Sequence, residues 1–319
     1  MQSVGGLEMQ AARPTRGLKQ AIASHPIAAF LLILYPVSWI LFLPSVLGNG
    51  GLGILSVDIP AQVGILLVTV FGLTGVAFLV TRIADGKPGT RALRSHYFRF
   101  RTGPQWYLLA LAGAPMLLLL AGLLTRGGNA LTPIVRHPLQ IVTVYLLNLI
   151  VIAILISVQE EGAWMAFVTA RLQRRWGPVW ASVAVAPMFG FVHFPLFFLA
   201  NGLTDGAPPR GTRVLEYAFY LLILFSVPMR IVITWIFNSS GGSVPVVALF
   251  HASVDTTASA AVLTAFYPGI DGRLLYVGLA LVALALVIVT RGRLGYRPMS
   301  KQGQEAPTAR LARIAATVP

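Results

Sequence analysis

The sequence predicts an all-α, polytopic helical membrane protein with about eight transmembrane helices. Three observations carry that prediction. The 319 residues are 56% hydrophobic and only 11% charged, against the roughly 25% charge of a soluble globular chain. Apolar runs of about 20 residues, the length that crosses a bilayer as helix, recur along the chain. The two-residue alternation of a barrel strand is absent, and lipid cannot satisfy free backbone groups, so helix is expected throughout.

A polar, basic segment, 1–25, comes first. The apolar run that follows is full length and lacks a small-residue cleavage site, so the first span should stay as an anchor. Hydropathy places spans near 27–48, 59–81, 105–125, 139–159, 178–200, 215–237, 244–267 and 273–290. The fourth should continue as helix to about Arg171. Pro187 and Gly190 can kink the fifth. Gly241 and Gly242 read as the tight turn between the sixth and seventh. Trp106, Trp164, Trp176 and Trp235 read as interfacial anchors or packing, according to depth. The stretch 291–319 is basic and polar and is expected to be disordered. One integral-membrane domain over 26–290 accounts for the rest, with no soluble second domain.

The net charge of +14 raises the question of nucleic acid, and its distribution answers it. With both termini in the cytoplasm, 18 of the basic residues fall in inside segments and five in outside ones, while Arg230 lies within a span. That asymmetry is the positive-inside rule, so the expected partners are anionic lipids at the cytoplasmic face and not nucleic acid. The chain has no cysteine. It therefore has no disulfide, no thiolate metal site and no cysteine nucleophile.

An ionisable side chain at membrane depth costs about 2.5–3.5 kcal/mol on insertion scales, and such residues mark functional sites. Here they are Glu160, Glu161, His193, Arg230, His251 and Asp255. Counted at about 1.5 Å per residue, Glu160 lies roughly 16 Å from Arg171, His251 roughly 11 Å from Val244 and Arg230 roughly 12 Å from Asn238. His193 comes out deeper, roughly 24 Å from Gly177. One cavity in the cytoplasmic half of the membrane can hold all six. His251 and Asp255 share a helix face at a spacing of four, as do Phe189 and His193. Two histidines and a carboxylate on separate helices are the parts from which a hydrolase activates water. No Ser-His-Asp ordering stands out and HExxH is missing.

The segments EEGAWMAFVTARLQRRWGP, FGFVHFPLFF and TWIFNSSGGSVPVVALFHASVD resemble the CPBP (Abi) family of intramembrane proteases. This family includes the CAAX prenyl endopeptidase and bacteriocin-processing and self-immunity proteins. Its pattern is EExxxR, then FxxxH, then HxxxN or a similar small polar residue, each on a different span. The resemblance covers about 140–260. It implies that Glu160 is the general base, that His193 orients the attacking water, and that His251 and Asp255 stabilise the oxyanion. Glu161 supports the arrangement, with Phe189 and Arg230 alongside.

Two departures stand out. The motif arginine falls at Met165, so Glu161 lacks its counter-charge on the same helix. Arg230 is expected to replace it; pairing with Asp255 or snorkelling to the surface is the alternative. Asp255 stands where asparagine is common, and an ionised aspartate would repel an oxyanion. It must be protonated, paired with His251 or bound to a metal. Zn2+ or another divalent ion held by His193, His251, Glu160 and Asp255 is one option, and a metal-independent glutamate mechanism is the other.

Three functions follow. The first is an endopeptidase acting on a peptide or protein in or at the membrane. The second is a catalytically inactive relative that binds membrane peptides, in an immunity or regulatory role. The third is a proton- or ion-coupled transporter, for which no paired broken helices are visible. Arginine outnumbers lysine 21 to 3, as in a GC-rich bacterial genome, so the expected setting is a bacterial plasma membrane and a prenylated substrate is not expected.

Overall fold

The apolar runs fold as helices, and what faces outward is apolar too. In the computed structural model, which describes residues 17–199 and 224–297, no strand occurs among the described residues. Leu32, Phe71, Leu108, Leu124, Leu281 and Val289 are all exposed. A water-soluble monomer does not display apolar surface on this scale. The chain is an integral membrane protein.

A short helix α1 (Leu18–Ser24) precedes α2 (Pro26–Leu47), and α3 spans Ala61–Ala84. The connection that follows carries α4 (Gly86–Tyr97), and α5 spans Pro104–Arg126. Residues 141–176 form α6 and residues 178–192 form α7. The break is at Gly177, whose φ of 75° only glycine adopts freely, and Pro178 cannot donate the hydrogen bond that would carry the helix through. Beyond a 3-10 turn at Phe194–Phe198, the helices are α8 (Val227–Ser239), α9 (Val244–Ala258), α10 (Ala260–Phe266) and α11 (Arg273–Val289).

The count of eight spans is not confirmed. Among the described residues, four helical stretches are long and apolar enough to cross a membrane, or five if α9 and α10 form one broken span. One of the four, Ile141–Val192, takes in both the fourth and the fifth predicted spans. Helix α7 ends at Val192, short of the expected 200, because Pro195, three residues on, has no N–H to carry the helix further. The expected run 244–267 is bent by 67° at Ser259, whose hydroxyl accepts from the Val262 amide and starts α10 afresh. Of the sixth predicted span, 215–223 lies outside the described residues, as does 298–319 of the tail. Within 291–297, Leu294 is fully buried and its carbonyl accepts from Asn238 Nδ2 at 3.1 Å.

Packing follows from side-chain size. On α5 the buried residues are Ala110, Ala114, Leu118 and Gly122, a stripe of mostly small residues four apart, and α9 packs along this helix. Small residues let two backbones approach closely where lipid provides no hydrophobic drive. Helix α9 also packs on α6, and Tyr145 pins the three together. Its hydroxyl donates to the Leu111 carbonyl at 2.5 Å and lies 2.8 Å from Ser253 Oγ. Residues 160–169 of α6 are all buried, so this stretch forms the centre of the bundle. It is wound with π-type turns on both sides of the paired glutamates, at Ala153–Ser157 and Gly162–Thr169. Such turns recur at functional sites.

The turn between α8 and α9 requires its glycines: Gly241 and Gly242 have φ of 72° and 87°. The connection after α3 is strapped to this turn. His96 Nδ1–H donates to the Gly242 carbonyl at 2.7 Å, Ser243 Oγ donates to the Arg99 carbonyl at 2.6 Å, and Arg99 donates to the Gly241 carbonyl. Burial holds the His96 imidazole below its ordinary value, helped by the Arg99 charge and opposed by the bond to Gly242.

Candidate active site

The two adjacent glutamates have different fates because adjacent helical residues point about 100° apart. Glu161 is fully buried and accepts two hydrogen bonds from Arg230, Nη1 to Oε2 at 3.0 Å and Nη2 to Oε1 at 2.8 Å. Its Oε1 also accepts from His251 Nδ1–H at 2.6 Å. Glu160 is 4% exposed and has no hydrogen-bond partner among the described residues. It lies between two histidines, with Oε1 at 4.0 Å from His193 Nε2 and Oε2 at 3.8 Å from His251 Nδ1.

His193 is the C-cap of α7 and donates Nδ1–H to the Phe189 carbonyl one turn back, at 3.0 Å. That bond assigns the proton to Nδ1 and turns the lone pair of Nε2 towards Glu160. His193 was the outlier in depth, and the structure still brings it beside Glu160. Distance along a kinked or tilted helix is not depth. His251 uses its second nitrogen on Asp255, with Nε2 3.4 Å from Oδ2. The Asp255 side chain is 36% exposed, the most open carboxylate of the group.

Arg230, wholly buried, stands over the Phe189 ring with its guanidinium carbon 4.4 Å from the centroid. Phe189 thus does more than fill space, since it gives the cation an aromatic face in a low-dielectric setting. Of the partners weighed for Arg230, the structure pairs it with Glu161. Met165, one turn along α6 from Glu161, is buried, and Thr169 Oγ1 lies against its sulfur at 3.5 Å. The cation absent from position 165 is supplied across the bundle from α8.

A metal would draw on His193, His251, Glu160 and Asp255. Among the described residues, no group of three or more His, Asp and Glu side chains is disposed to hold one. His251 has one nitrogen on Glu161 and the other facing Asp255, so neither is turned to a shared ion. His193 keeps Nε2 open, with Glu160 beside it, and these two are the donors an ion would meet.

Support that ionisable residues alone do not reveal comes from Thr74 of α3. Its hydroxyl donates to Gln159, at 3.1 Å to the carbonyl or 3.0 Å to Oε1, and lies 3.3 Å from the Tyr97 hydroxyl. A polar Gln159 beside the glutamates was the available signal. Tyr97 lies against Gly162, where an added Cβ would collide with the phenol ring. Gly162→Ala should therefore destabilise the fold by about 1–3 kcal/mol, as overpacking does. Thermal unfolding in detergent checks this, and in a Tyr97→Leu background the penalty should shrink. An equal penalty in both backgrounds would separate Gly162 from Tyr97.

Residues 142–257 match the family described as Rce1-like, type II CAAX prenyl endopeptidase. The matched stretch contains Glu160, Glu161, Phe189, His193, Arg230, His251 and Asp255. It supports the resemblance to the CPBP and CAAX protease family. No curated protein matches the chain.

Proposed function

We propose, from the match of residues 142–257 to a CAAX endopeptidase family, that this protein is an intramembrane endopeptidase. It hydrolyses a peptide bond of a membrane-associated protein or peptide near the cytoplasmic face, with Glu160 as the base. One observation carries the reading. Of two buried glutamates, one is neutralised by an arginine and a histidine, and the other has no hydrogen-bond partner among the described residues and lies between two imidazoles. A structural charge looks like Glu161. A base in waiting looks like Glu160.

The gap of 4.0 Å between Glu160 and His193 Nε2 is too long for a direct hydrogen bond. One water can bond to both. In the proposed reaction, Glu160 takes a proton from that water as its oxygen attacks the scissile carbonyl carbon. His193 Nε2 accepts the second water proton in a hydrogen bond and fixes the angle of attack. His251 stabilises the oxyanion through Nε2–H, its Nδ1–H being given to Glu161. Glu160 then returns its proton to the leaving amide nitrogen as the carbon–nitrogen bond breaks. None of these steps uses a metal.

The inactive-relative reading drew on the missing arginine at position 165. It loses that support, because Arg230 already meets Glu161. The test of function compares newly formed protein N-termini in host membranes expressing wild type or Glu160→Gln at matched levels. Termini present only with wild type are expected and would reveal the substrates. Identical sets under several growth conditions would refute proteolysis.

Asp255 yields a further prediction. Asparagine keeps an acceptor for His251 Nε2 and adds a donor for the oxyanion, so Asp255→Asn should match or exceed wild-type turnover. Asp255→Leu supplies neither, and should cost about 10²–10³-fold, the scale of losing one oxyanion donor. Cleavage rates on one identified substrate decide. If asparagine is as damaging as leucine, the carboxylate itself is required.

A further inference from the structure

We propose that the connection between α3 and α5 forms a binding site for an anionic phospholipid headgroup, with Arg101 and Arg94 as its main cations. Residues 82–101 hold six basic residues, Arg82, Lys87, Arg91, Arg94, Arg99 and Arg101, against one acid, Asp85. That acid is already paired with Arg171. Lys87, Arg91 and Arg101 have no ion-pair partner among the described residues. The positive charge of this face is thus uncompensated within the described fold.

The surface is shaped as well as charged. A depression of about 580 Å³ is lined by Ser95, Phe98, Arg99, Phe100, Arg101 and Gly241. Phe98 is 68% exposed and Phe100 58%, and the Arg94 guanidinium carbon lies 5.9 Å from the centre of the Phe98 ring. Two exposed rings alternating with arginines suit a membrane interface, where aromatic bodies reach the acyl boundary and cations meet headgroups.

Position selects a lipid as the occupant. The connection joins two candidate membrane spans, so it lies at one membrane face, and Pro104 opens α5 three residues beyond Arg101. A headgroup at the bilayer surface therefore sits at the height of the depression. The site also touches the bundle centre. Through His96, Arg99 and Ser243 it is bonded to the turn that starts α9, the helix carrying His251 and Asp255. A bound headgroup would hold that turn in place.

The test uses the full chain in phosphatidylcholine bilayers at low salt. Trace spin-labelled phosphatidylglycerol is compared with spin-labelled phosphatidylcholine, and the motionally restricted fraction of each is read by electron paramagnetic resonance. Wild type should restrict phosphatidylglycerol preferentially. The preference should fall about fivefold for each arginine removed in Arg94→Gln and Arg101→Gln, the scale of one basic residue at an anionic surface. Neither arginine donates a hydrogen bond within the described fold, so both variants should fold. Equal restriction of the two lipids, or a preference unchanged in both variants, would overturn the proposal. So would displacement of phosphatidylglycerol by inorganic phosphate, which would make this a free-anion site. None of these readouts depends on proteolysis.

Discussion

Replacing Glu160 by glutamine should abolish peptide turnover, a fall of about 10²–10⁴-fold, and leave thermal stability where it was. The two halves of that expectation have one cause. Glu160 accepts no hydrogen bond from the described residues, and its contacts to His193 and His251 are 4.0 Å and 3.8 Å. Glutamine has the same shape, so the fold loses little. The reaction loses its base, because an amide cannot take a proton from water near neutral pH. Parallel measurement of cleavage and of unfolding in the same detergent separates the two effects. A variant that is both inactive and substantially less stable would mean that Glu160 is structural.

Arg230→Met should show the opposite pattern, with a loss of about 3–5 kcal/mol of stability, the cost of leaving a buried charge without its partner. Glu161 and Arg230 are both fully buried and joined by two hydrogen bonds. Removing the cation strands the carboxylate in the bundle centre with His251 as its remaining partner. Removing both charges should cost less than removing either, since a hydrophobic pair of similar volume often replaces a buried ion pair with little change. A cycle of Arg230→Met, Glu161→Met and the double variant measures the coupling by unfolding midpoint. Met165→Arg offers a sharper arm. It returns a cation four residues from Glu161 on the same helix, and should recover part of the stability lost in Arg230→Met. Strict additivity in the cycle would show that the pair does not matter to the fold.

These two variants also show what was legible early: the paired glutamates, and Arg230 as one of the expected partners for Glu161. The motif segments and the rarity of charge in apolar helices point to Glu160, Glu161, His193, His251 and Asp255 from sequence alone. That signal is local, since it needs only neighbours within a few residues. Which glutamate is clamped and which is free depends on Arg230, 69 residues further along, and on the direction in which each helix face turns.

The span count marks a second boundary. Hydropathy finds apolar runs, and each predicted run that lies within the described residues corresponds to helix. It registers poorly where a run breaks, because breaking depends on one residue. Gly177 separates α6 from α7 by its backbone angle, and Ser259 bends α9 from α10 by capping a new helix. Pro195 ends α7 early. None of these changes the mean hydropathy of its window.

What the sequence determined by itself was the medium and the cast: an all-helical chain in lipid, with a handful of ionisable residues. Composition and short motifs suffice for that, because desolvation penalises every misplaced charge wherever the helices go. The tertiary structure decided the partnerships. It paired Arg230 with Glu161 and not with Asp255, set His251 between Glu161 and Asp255, and left Glu160 between two histidines with no hydrogen-bond partner among the described residues. These are contacts between residues far apart in the chain, and their energies depend on angstrom distances in a low-dielectric interior. Only the packed bundle fixes such distances.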